Sequence, residues 1–417
     1  MKNGFYNLLW KSHFLAGIVV VPFVILLSVT GIIYLFKDNY EKSLLQSYSA
    51  YEPKGKSLSY EQQLHIAQIN WSKTPEAIVV SKSQNQSTQF TSGRFSHKSS
   101  MYINPSNGAV LGKVNVSETN MHKVRKLHGE LLLGSFGTKI IELVASWMFV
   151  LILTGIYLFW PRERGIKGLF TIRTKASKRI FFRDVHTFLG FWFSSLLILI
   201  LMGGFPWTDV FGAGYKWIQK STSSGFPSTW QGKGLKSKEN QSTAISLDIM
   251  IQKAEALNLD GEVSLSFPES SNGVYTVTNQ TTNFSQMKSI HFDQYTGKIV
   301  AQNSWADIGF MMKSRLWLMA FHQGKFGIWN FVLILVTALA LTFLSFAAIF
   351  SYSKRKTEKG FNLNENVKVR ISLAPIIVIC ILGVVLPLFG ISLVLMFFMI
   401  SIFSFTRKIR HSIVKVS

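Results

Sequence analysis

The sequence predicts a membrane α-helical bundle of six spans that carries two exported α+β modules. Three observations predict this fold class: the apolar residues lie in long blocks, basic residues are concentrated beside those blocks, and several short motifs recur in the same order along the chain. Of the 417 residues, 48% are hydrophobic and only 16% are charged. The recurring motifs indicate a duplicated two-span unit, and a hairpin follows the second copy.

Four apolar blocks have the length of a membrane-spanning helix, since about 20 helical residues cross a hydrocarbon layer of roughly 30 Å. The blocks are residues 14–36, 140–160, 187–208 and 327–350. A fifth block, 372–404, is too long for one crossing and has Pro387 and Gly390 at its middle. We therefore predict a tight hairpin of two short spans there, which brings the total to six.

The basic residues flank the apolar blocks instead of forming a separate patch. The formal net charge is +23, but Lys and Arg beside membrane spans are typical of cytoplasmic loops. This pattern predicts cytoplasmic termini and a lipid bilayer as the partner, and it argues against a nucleic-acid surface. The basic residues concerned are Lys2, Lys11, Arg162, Arg164, Lys167, Arg173, Lys175, Lys178, Arg179, Arg183, Lys354, Arg355, Lys356, Lys359, Lys368, Arg370, Arg407, Lys408, Arg410 and Lys415.

The order of the segments follows from this topology. The first apolar block has no small-residue cleavage site after it, so we expect a retained anchor. Because each copy starts and ends in the cytoplasm, the copies are predicted to be parallel repeats related by a pseudo-two-fold axis along the membrane normal. The predicted segments are 1–36 (first span), 37–125 (exported module), 126–160 (surface helix and second span), 161–183 (basic cytoplasmic loop), 184–208 (third span), 209–308 (second exported module), 309–352 (surface helix and fourth span), 353–371 (cytoplasmic loop), 372–405 (membrane hairpin) and 406–417 (cytoplasmic tail).

Both exported modules show the same order of elements. A helical pattern begins near Leu58 in the first module and near Ile245 in the second, and Val274–Val277 has the pattern of a strand. Each module ends on alternating apolar residues around an Asn-Gly or Thr-Gly pair, at 101–110 and at 290–299. Such a pattern predicts a β-hairpin.

Two classes of site are excluded or disfavoured. Cys380 is the only cysteine and lies in an apolar block, so neither an intramolecular disulfide nor a thiolate metal cluster is possible within the chain. The chain also has no glycine fingerprint of a Rossmann-type nicotinamide or flavin site. Any electron donor is therefore expected to be external.

Four histidines occupy repeated positions. His13 and His186 lie at the start of the first and third spans, and each is followed four residues later by a glycine. His128 and His322 lie in the motifs that precede the second and fourth spans. The predicted two-fold axis places His13 opposite His186 and His128 opposite His322. Two facing neutral imidazoles are what a six-coordinate haem needs, so we predict two haems, one near each membrane face.

Other interpretations of these residues remain open. A histidine at the end of a membrane helix is also typical of an interfacial polar group, and His122 is an alternative to His128 if the surface helix is rotated. The other histidines are expected to be solvated or structural. Glu142 is expected to form a local ion pair with Lys139 at the membrane interface, and a proton-relay role is the alternative. The cations near the histidines are candidates for haem propionates or for lipid headgroups: Arg125, Lys126, Arg183, Lys313 and Arg315.

At these residues the sequence resembles the PepSY-associated transmembrane family, the iron-regulated inner-membrane proteins that include ferric-siderophore reductases. The resemblance covers nearly the whole chain and depends on the order and duplication of its motifs. The matching motifs are the helix starts at His13 and His186, Leu127–Gly134, Phe321–Gly324, Thr154–Pro161 and Gly204–Asp209. The pair Phe205-Pro206 departs from the Leu-Pro that is frequent in the family.

The resemblance implies two PepSY-like modules and a membrane haem protein that reduces siderophore-bound ferric iron on the periplasmic side. The axial ligands of two haem b groups would be His13, His186, His128 and His322, and the external donor would be a quinol or a cytoplasmic reductase. Two alternatives stay open: a non-enzymatic binding or sensing protein built on the same modules, and a transporter of iron or siderophore. Haem in the purified protein separates the first alternative from the reductase, and oxidation of that haem by a ferric siderophore argues against the second.

Overall fold

The computed structural model describes residues 4–49, 51, 56–81, 85–160, 166–238, 243–354 and 372–414. It divides into two compact units, which we call the helical unit (Met1–Ile32, Lys126–Trp217 and Phe321–Ser417) and the sheet unit (Ile33–Arg125 and Ile218–Ala320). The predicted module boundary at 209 precedes a helix whose residues up to Trp217 belong to the helical unit. Several predicted flanking cations lie outside the described residues or side chains: Lys2, Arg162, Arg164, Arg355, Lys356, Lys359, Lys368, Arg370, Arg407, Lys408, Arg410 and Lys415.

The helices of the described residues are numbered α1 to α13 in chain order. They are α1 (Gly4–Leu35), α2 (Lys37–Ser49), α3 (Tyr60–Asn70), α4 (Asn120–Glu130), α5 (Gly134–Phe159), α6 (Lys178–Trp192), α7 (Ser194–Gly204), α8 (Val210–Ser221), α9 (Leu247–Ala256), α10 (Phe310–His322), α11 (Ile328–Ser353), α12 (Leu373–Val385) and α13 (Pro387–Val414). The strands are β1 (Ala77–Val80), β2 (Thr88–Ser92), β3 (Ser99–Ile103), β4 (Val110–Asn115), β5 (Glu262–Ser266), β6 (Val274–Gln280), β7 (Lys288–Asp293) and β8 (Ile299–Ser304).

Three helices of the described residues, α1, α5 and α11, are long and apolar enough to cross a membrane, with 32, 26 and 26 residues. The pair α6 and α7 passes the same test as one bent span, so the described residues contain up to four candidate spans. In the hairpin, α12 and the apolar part of α13, Pro387–Phe403, are each shorter than the roughly 20 residues that a crossing requires. The prediction of six spans is therefore confirmed only as far as these four.

The third predicted span is not a straight helix, which corrects the prediction of one continuous run. Its two halves, α6 and α7 with the short turn that follows, are bent by 60° at Phe193. The hydroxyl of Ser194 donates to the carbonyl of Phe191 at 2.7 Å. Glycine and serine are frequent beside helix kinks, and here Gly190 lies shortly before the bend and Ser194 and Ser195 directly after it.

A short helix precedes α5 and another precedes α11, as the repeated motifs predict. The turn after α10 uses Gly324 and Gly327 with positive φ, but the turn after α4 also puts Leu131 and Leu132 in the left-handed region. A side chain at Gly137 would collide with the carbonyl of Glu130. The tight turn between α4 and α5 therefore depends on a glycine inside α5, which fixes where α4 ends.

The sheet unit is built on one eight-stranded antiparallel sheet, with strand order β4-β3-β2-β1-β5-β6-β7-β8. The order is symmetric about the β1–β5 pair, in which Ile78 lies opposite Leu265. The predicted hairpins are confirmed as β3–β4 and β7–β8, and the predicted strand Val274–Val277 is part of β6. The two modules thus share one sheet, because the first strand of each pairs with that of the other.

The predicted module helices are confirmed as α3 and α9. A carboxylate from each helix caps the N-terminus of the other. The carboxylate of Asp248 accepts from the Tyr60 backbone N–H at 3.1 Å, and Glu61 accepts from the Leu247 N–H at 2.6 Å. The apolar faces of α3 and α9 lie on the sheet over a common core that includes Met250. Carboxylates at helix N-termini satisfy otherwise unpaired N–H groups, so the two modules stabilise each other at this point.

The apolar block 372–404 folds as the predicted helical hairpin, α12 and α13. A side chain at Gly390 would collide with the carbonyl of Gly383, so the two helices cross with backbone against backbone. The tip of the hairpin packs Leu386 and Phe389 against Phe205. The hairpin thereby packs against the short turn that follows α7 in the helical unit.

Candidate functional site

The four repeated histidines lie in the helical unit, on four different helices. His13 is on α1 and His186 on α6, while His128 is on α4 and His322 ends α10. Each is half-buried, whereas His291 of the sheet unit is fully buried. The two predicted pairs are therefore available for contact within one unit.

The structure brings the rings together as two pairs. The ring centres of His13 and His186 are 6.5 Å apart and their planes are 82° apart. The ring centres of His128 and His322 are 6.2 Å apart, with an angle of 78° between the planes. The ring opposite His322 is that of His128, so His122 does not take its place.

Each of the four imidazoles makes a hydrogen bond through Nδ1. The four contacts are His13 to Thr154 Oγ1 at 2.8 Å, His128 to Thr30 Oγ1 at 3.0 Å, His186 to the Leu344 carbonyl at 3.1 Å, and His322 to the Ile200 carbonyl at 2.8 Å. Among the described residues, no hydrogen bond engages Nε2 of these rings. Nε2 is therefore the nitrogen available to a metal.

The carbonyl partners fix the tautomer of two rings directly. A carbonyl oxygen only accepts, so Nδ1 of His186 and Nδ1 of His322 carry the proton. In a neutral ring Nε2 then has the free lone pair. A protein acceptor on one ring nitrogen is the usual arrangement that orients a ligating histidine.

The threonine partners lead to the same tautomer. Thr154 Oγ1 donates its only proton to the Val150 carbonyl at 2.9 Å, and Thr30 Oγ1 donates to the Leu26 carbonyl at 2.7 Å. Each hydroxyl is then left as an acceptor for the imidazole N–H. All four rings therefore present Nε2 as the unprotonated nitrogen.

Each imidazole donates its hydrogen bond to a helix of its own repeat. His13 and His128 are held by helices of the first repeat, and His186 and His322 by helices of the second. Each ring, however, lies opposite a ring from the other repeat. Both repeats are therefore needed to form either pair.

The pairs fit the axial ligation of a haem. With metal–nitrogen bonds of about 2 Å on both sides, two ligating imidazoles have their ring centres about 6 Å apart, close to the two observed distances. A haem iron takes only two ligands from the protein. The described residues contain no group of three or more His, Cys, Asp or Glu side chains that could hold a bare metal ion, so the pairs suit a porphyrin-bound iron better than a free cation.

The glycines near the rings also fit a flat ligand. Gly17 lies one turn after His13 on the same helix face, and a Cβ built there meets no atom within 4 Å. At Gly31 a Cβ would lie 3.4 Å from His128 Cε1, and at Gly204 it would lie 4.0 Å from His322 Cε1. Small residues thus leave space beside one ring and let two other rings approach the helix backbone.

Burial favours the neutral form of the rings on the two short helices, α4 and α10. Burial, together with the neighbouring His322 ring, lowers the pKa of His128 to about 4. Burial also lowers the pKa of His322. An imidazole in water is mostly protonated near pH 6, whereas the burial of these two rings favours the neutral form, which is the form that binds a metal.

Two side chains that the sequence did not single out support the helices of the site. Asp184, two residues before His186, accepts from Arg173 Nε and Nη2 at 2.7 Å each. Asn330 is fully buried and donates to the Phe321 carbonyl at 3.2 Å. The first contact anchors the segment that precedes α6, and the second joins α11 to the end of α10 beside His322.

Glu142 does not form the ion pair predicted with Lys139. Its carboxylate accepts from the backbone N–H groups of Val210 and Phe211 at 2.8 Å each, so it caps the N-terminus of α8. Lys139 instead pairs with Asp209 at 2.7 Å, and hydrogen bonds from Lys139 and Ser135 lower the pKa of Asp209. The prediction considered only the nearest residues in sequence, whereas the buried N–H groups belong to a distant helix.

Most of the predicted propionate partners have other contacts. Arg125 donates to Ser96 at 3.0 Å, and Arg183 donates to Asp184 at 3.2 Å. Lys126 lies 3.6 Å from Glu130, and Lys313 lies over the Trp305 ring at 5.6 Å. Arg315 is buried. The structure therefore does not single out one of these cations for a propionate.

The family model described as the PepSY-associated TM region matches residues 10–355. The chain belongs to the PepSY-associated transmembrane family. The match covers all four histidines, nearly all of the candidate span α1, and the whole of α5, α6 with α7, and α11, so this is a multi-pass membrane protein. The hairpin of α12 and α13 lies beyond the matched part of this PepSY-associated protein. None of the curated proteins matches the chain.

Proposed function

We propose that this protein is an inner-membrane electron-transfer protein that binds two haem b groups and reduces siderophore-bound ferric iron on the periplasmic side. The observation that carries the proposal is the pair of facing imidazoles at two places in the helical unit, with Nδ1 engaged and Nε2 free in every ring. A bound haem would supply a one-electron redox couple at each pair. The reaction transfers one electron to each ferric ion and gives a ferrous ion that the siderophore binds weakly.

The residues of this chain would hold and orient the two redox centres. His13 with His186 would hold one, and His128 with His322 the other. On α1 the residues that reach the two pairs, His13 and Thr30, are 17 positions apart in the sequence, or about 25 Å of helix. Two centres at that separation would carry an electron across most of a hydrocarbon layer of about 30 Å.

The proposed orientation rests on the basic residues. The segment before α6 is rich in exposed cations, and a cytoplasmic location of these residues follows the positive-inside rule. The His13–His186 pair would then lie near the cytoplasmic face, where an external quinol or cytoplasmic reductase donates the electron. The modules of the sheet unit would be periplasmic and PepSY-like, and the hairpin would add two short spans to make six.

The test is spectroscopy followed by a single-turnover reaction. Full-length protein expressed with sufficient haem and purified in detergent is expected to be red, with about two haems per chain and the reduced-minus-oxidised spectrum of bis-histidine ligation. After anaerobic reduction by dithionite and removal of the excess, added ferric hydroxamate, catecholate or carboxylate siderophore should reoxidise the haem while a ferrous chelator captures the product.

The outcomes separate the competing functions. Colourless protein after haem-sufficient expression contradicts the proposal and supports a binding or sensing protein. Red protein that no ferric siderophore reoxidises contradicts the substrate assignment while keeping the haem assignment. A matched sample with an aluminium or gallium siderophore, which accepts no electron, controls for oxidation by traces of oxygen.

A further inference from the structure

The four imidazoles differ in the group that accepts from Nδ1. In each pair one ring donates to a threonine hydroxyl and the other donates to a helix carbonyl: Thr154 and Leu344 serve one pair, Thr30 and Ile200 the other. The difference follows the repeats, since both threonines belong to the first. The second repeat shows what the same position looks like without a hydroxyl.

The internal repeat identifies the equivalent residues. α5 and α11 each have 26 residues, and Thr154 and Ala348 each lie five residues before the last residue of their helix. The Thr154 hydroxyl donates to the carbonyl four residues before it, that of Val150. The equivalent carbonyl in the second repeat is that of Leu344, and it accepts directly from His186. In the first repeat the hydroxyl is therefore inserted between an imidazole and a helix carbonyl.

The same comparison holds at the other pair. Thr30 follows His13 by 17 positions, and 17 positions after His186 stands Gly203. His322 donates directly to the carbonyl of Ile200, three residues before Gly203. The equivalent carbonyl in the first repeat, that of Leu27, is also within hydrogen-bonding reach of the His128 ring. His128 thus has a second acceptor close by, whereas Thr154 is the acceptor that the structure gives His13.

A hydroxyl in this position affects the ligand in two ways. The chain from imidazole N–H to hydroxyl to carbonyl is cooperative, because each bond polarises the next. An acceptor on Nδ1 also makes Nε2 a stronger donor to a metal and holds the ring in one orientation. Removing the hydroxyl would leave a buried N–H without this acceptor and would make the imidazole a weaker ligand.

We propose, on the basis of the proposed haem binding, that Thr154 and Thr30 are positioning residues that set the redox potential of the two haems through His13 and His128. Thr154 carries the larger effect because its ring has no second carbonyl beside it among the described contacts. The threonines act through the histidines and do not touch the iron.

The experiment is a redox titration of the full-length protein in detergent, with haem content measured on the same samples. Thr154→Val should raise the midpoint potential of one haem, because a poorer ligand stabilises the ferric state less, and should weaken haem retention by about 10- to 100-fold. Thr30→Val should affect the other haem in the same direction and less strongly. Thr154→Ser and Thr30→Ser keep the hydroxyl and should restore the wild-type potentials.

Thr337→Val is the matched control, since the Thr337 hydroxyl is buried and, among the described residues, donates to its own helix at the Leu333 carbonyl. It should leave both potentials unchanged. Selective loss of one haem in a valine variant, restored by serine, also supports the inference. Unchanged potentials and haem content in Thr154→Val, equal shifts of both haems, or a serine variant that behaves as valine would each overturn it. Colourless wild-type protein would overturn the haem assignment itself.

Discussion

A single histidine can be judged by what its two ring nitrogens contact. In His291 of the sheet unit, Nδ1 lies 3.0 Å from Thr276 Oγ1 and Nε2 lies 3.2 Å from Ser289 Oγ. Both nitrogens are engaged by protein, so this ring is part of a buried polar network. The four paired histidines of the helical unit engage only Nδ1 among the described contacts, which is the pattern expected of a ligand.

The burial of His291 leads us to expect that the stability of the sheet unit depends on pH. Burial lowers the pKa of His291, and the groups around it, Thr276, Ser289 and Asn303, are uncharged. In the unfolded chain the ring binds a proton below a pH of about 6.5, whereas the folded ring resists protonation. Stability is therefore complete above that pH and falls as the pH drops toward the lowered folded value.

The measurement is the thermal unfolding midpoint of the full-length protein between pH 8 and pH 5. His291→Gln should show a smaller decrease below pH 6.5 than the wild type. His65→Gln, which changes an exposed histidine on α3, should follow the wild-type curve. Equal slopes for wild type and His291→Gln would show that this ring does not contribute to the pH dependence.

At the residue scale the sequence predicted the histidine pairs but not the groups that accept hydrogen bonds from their rings. The positions of His13, His128, His186 and His322 follow from two copies of the same motifs and a two-fold axis. Thr30 lies 98 positions from His128, and Thr154 lies 141 positions from His13. A threonine in an apolar helix carries no local sign of such a partner, because its hydroxyl is equally satisfied by its own backbone.

At the scale of helices and strands, local patterns predicted the elements better than their irregularities. The module helices and hairpins agree with their capping and turn residues, such as Ser59 at the start of α3. The bend at Phe193 was missed because the apolar run continues through it, although Gly190 and Ser194 lie beside it. The union of the modules in one sheet was missed because the β1–β5 pair joins strands far apart in sequence.

Substitution of Glu142 tests how much the cap at the N-terminus of α8 contributes to stability. Glu142→Ala would leave the N–H groups of Val210 and Phe211 buried without their acceptor, which costs about 1–3 kcal/mol for each unsatisfied group. Glu142→Gln keeps one carbonyl oxygen and should lose less. Thermal unfolding in detergent should rank the stabilities as wild type, then glutamine, then alanine.

The neighbouring ion pair provides the control for this cap. Lys139 and Asp209 are both partly exposed, and a surface pair contributes only about 0–1 kcal/mol. Lys139→Ala should therefore remain close to the wild type. If Glu142→Ala were as stable as Lys139→Ala, the two backbone hydrogen bonds would not be holding α8 in place.

At the scale of the whole molecule, duplication is the feature that creates the sites. Each histidine pair takes one ring from each repeat, and each ring is oriented by helices of its own repeat. Neither repeat alone contains a complete pair. The family match covers both copies but stops at residue 355, so the sites belong to the duplicated part of the chain and not to the hairpin.

The central claim is that the two histidine pairs each hold one haem. The most direct measurement is haem content together with low-temperature electron paramagnetic resonance of the oxidised full-length protein, comparing wild type, His128→Ala and the control His122→Ala. The wild type and the control should contain about two haems per chain, both low-spin and strongly anisotropic because the ligand planes are nearly perpendicular. His128→Ala should keep only the signal of the haem held by His13 and His186, whereas two unchanged signals, or the loss of both, would contradict the claim.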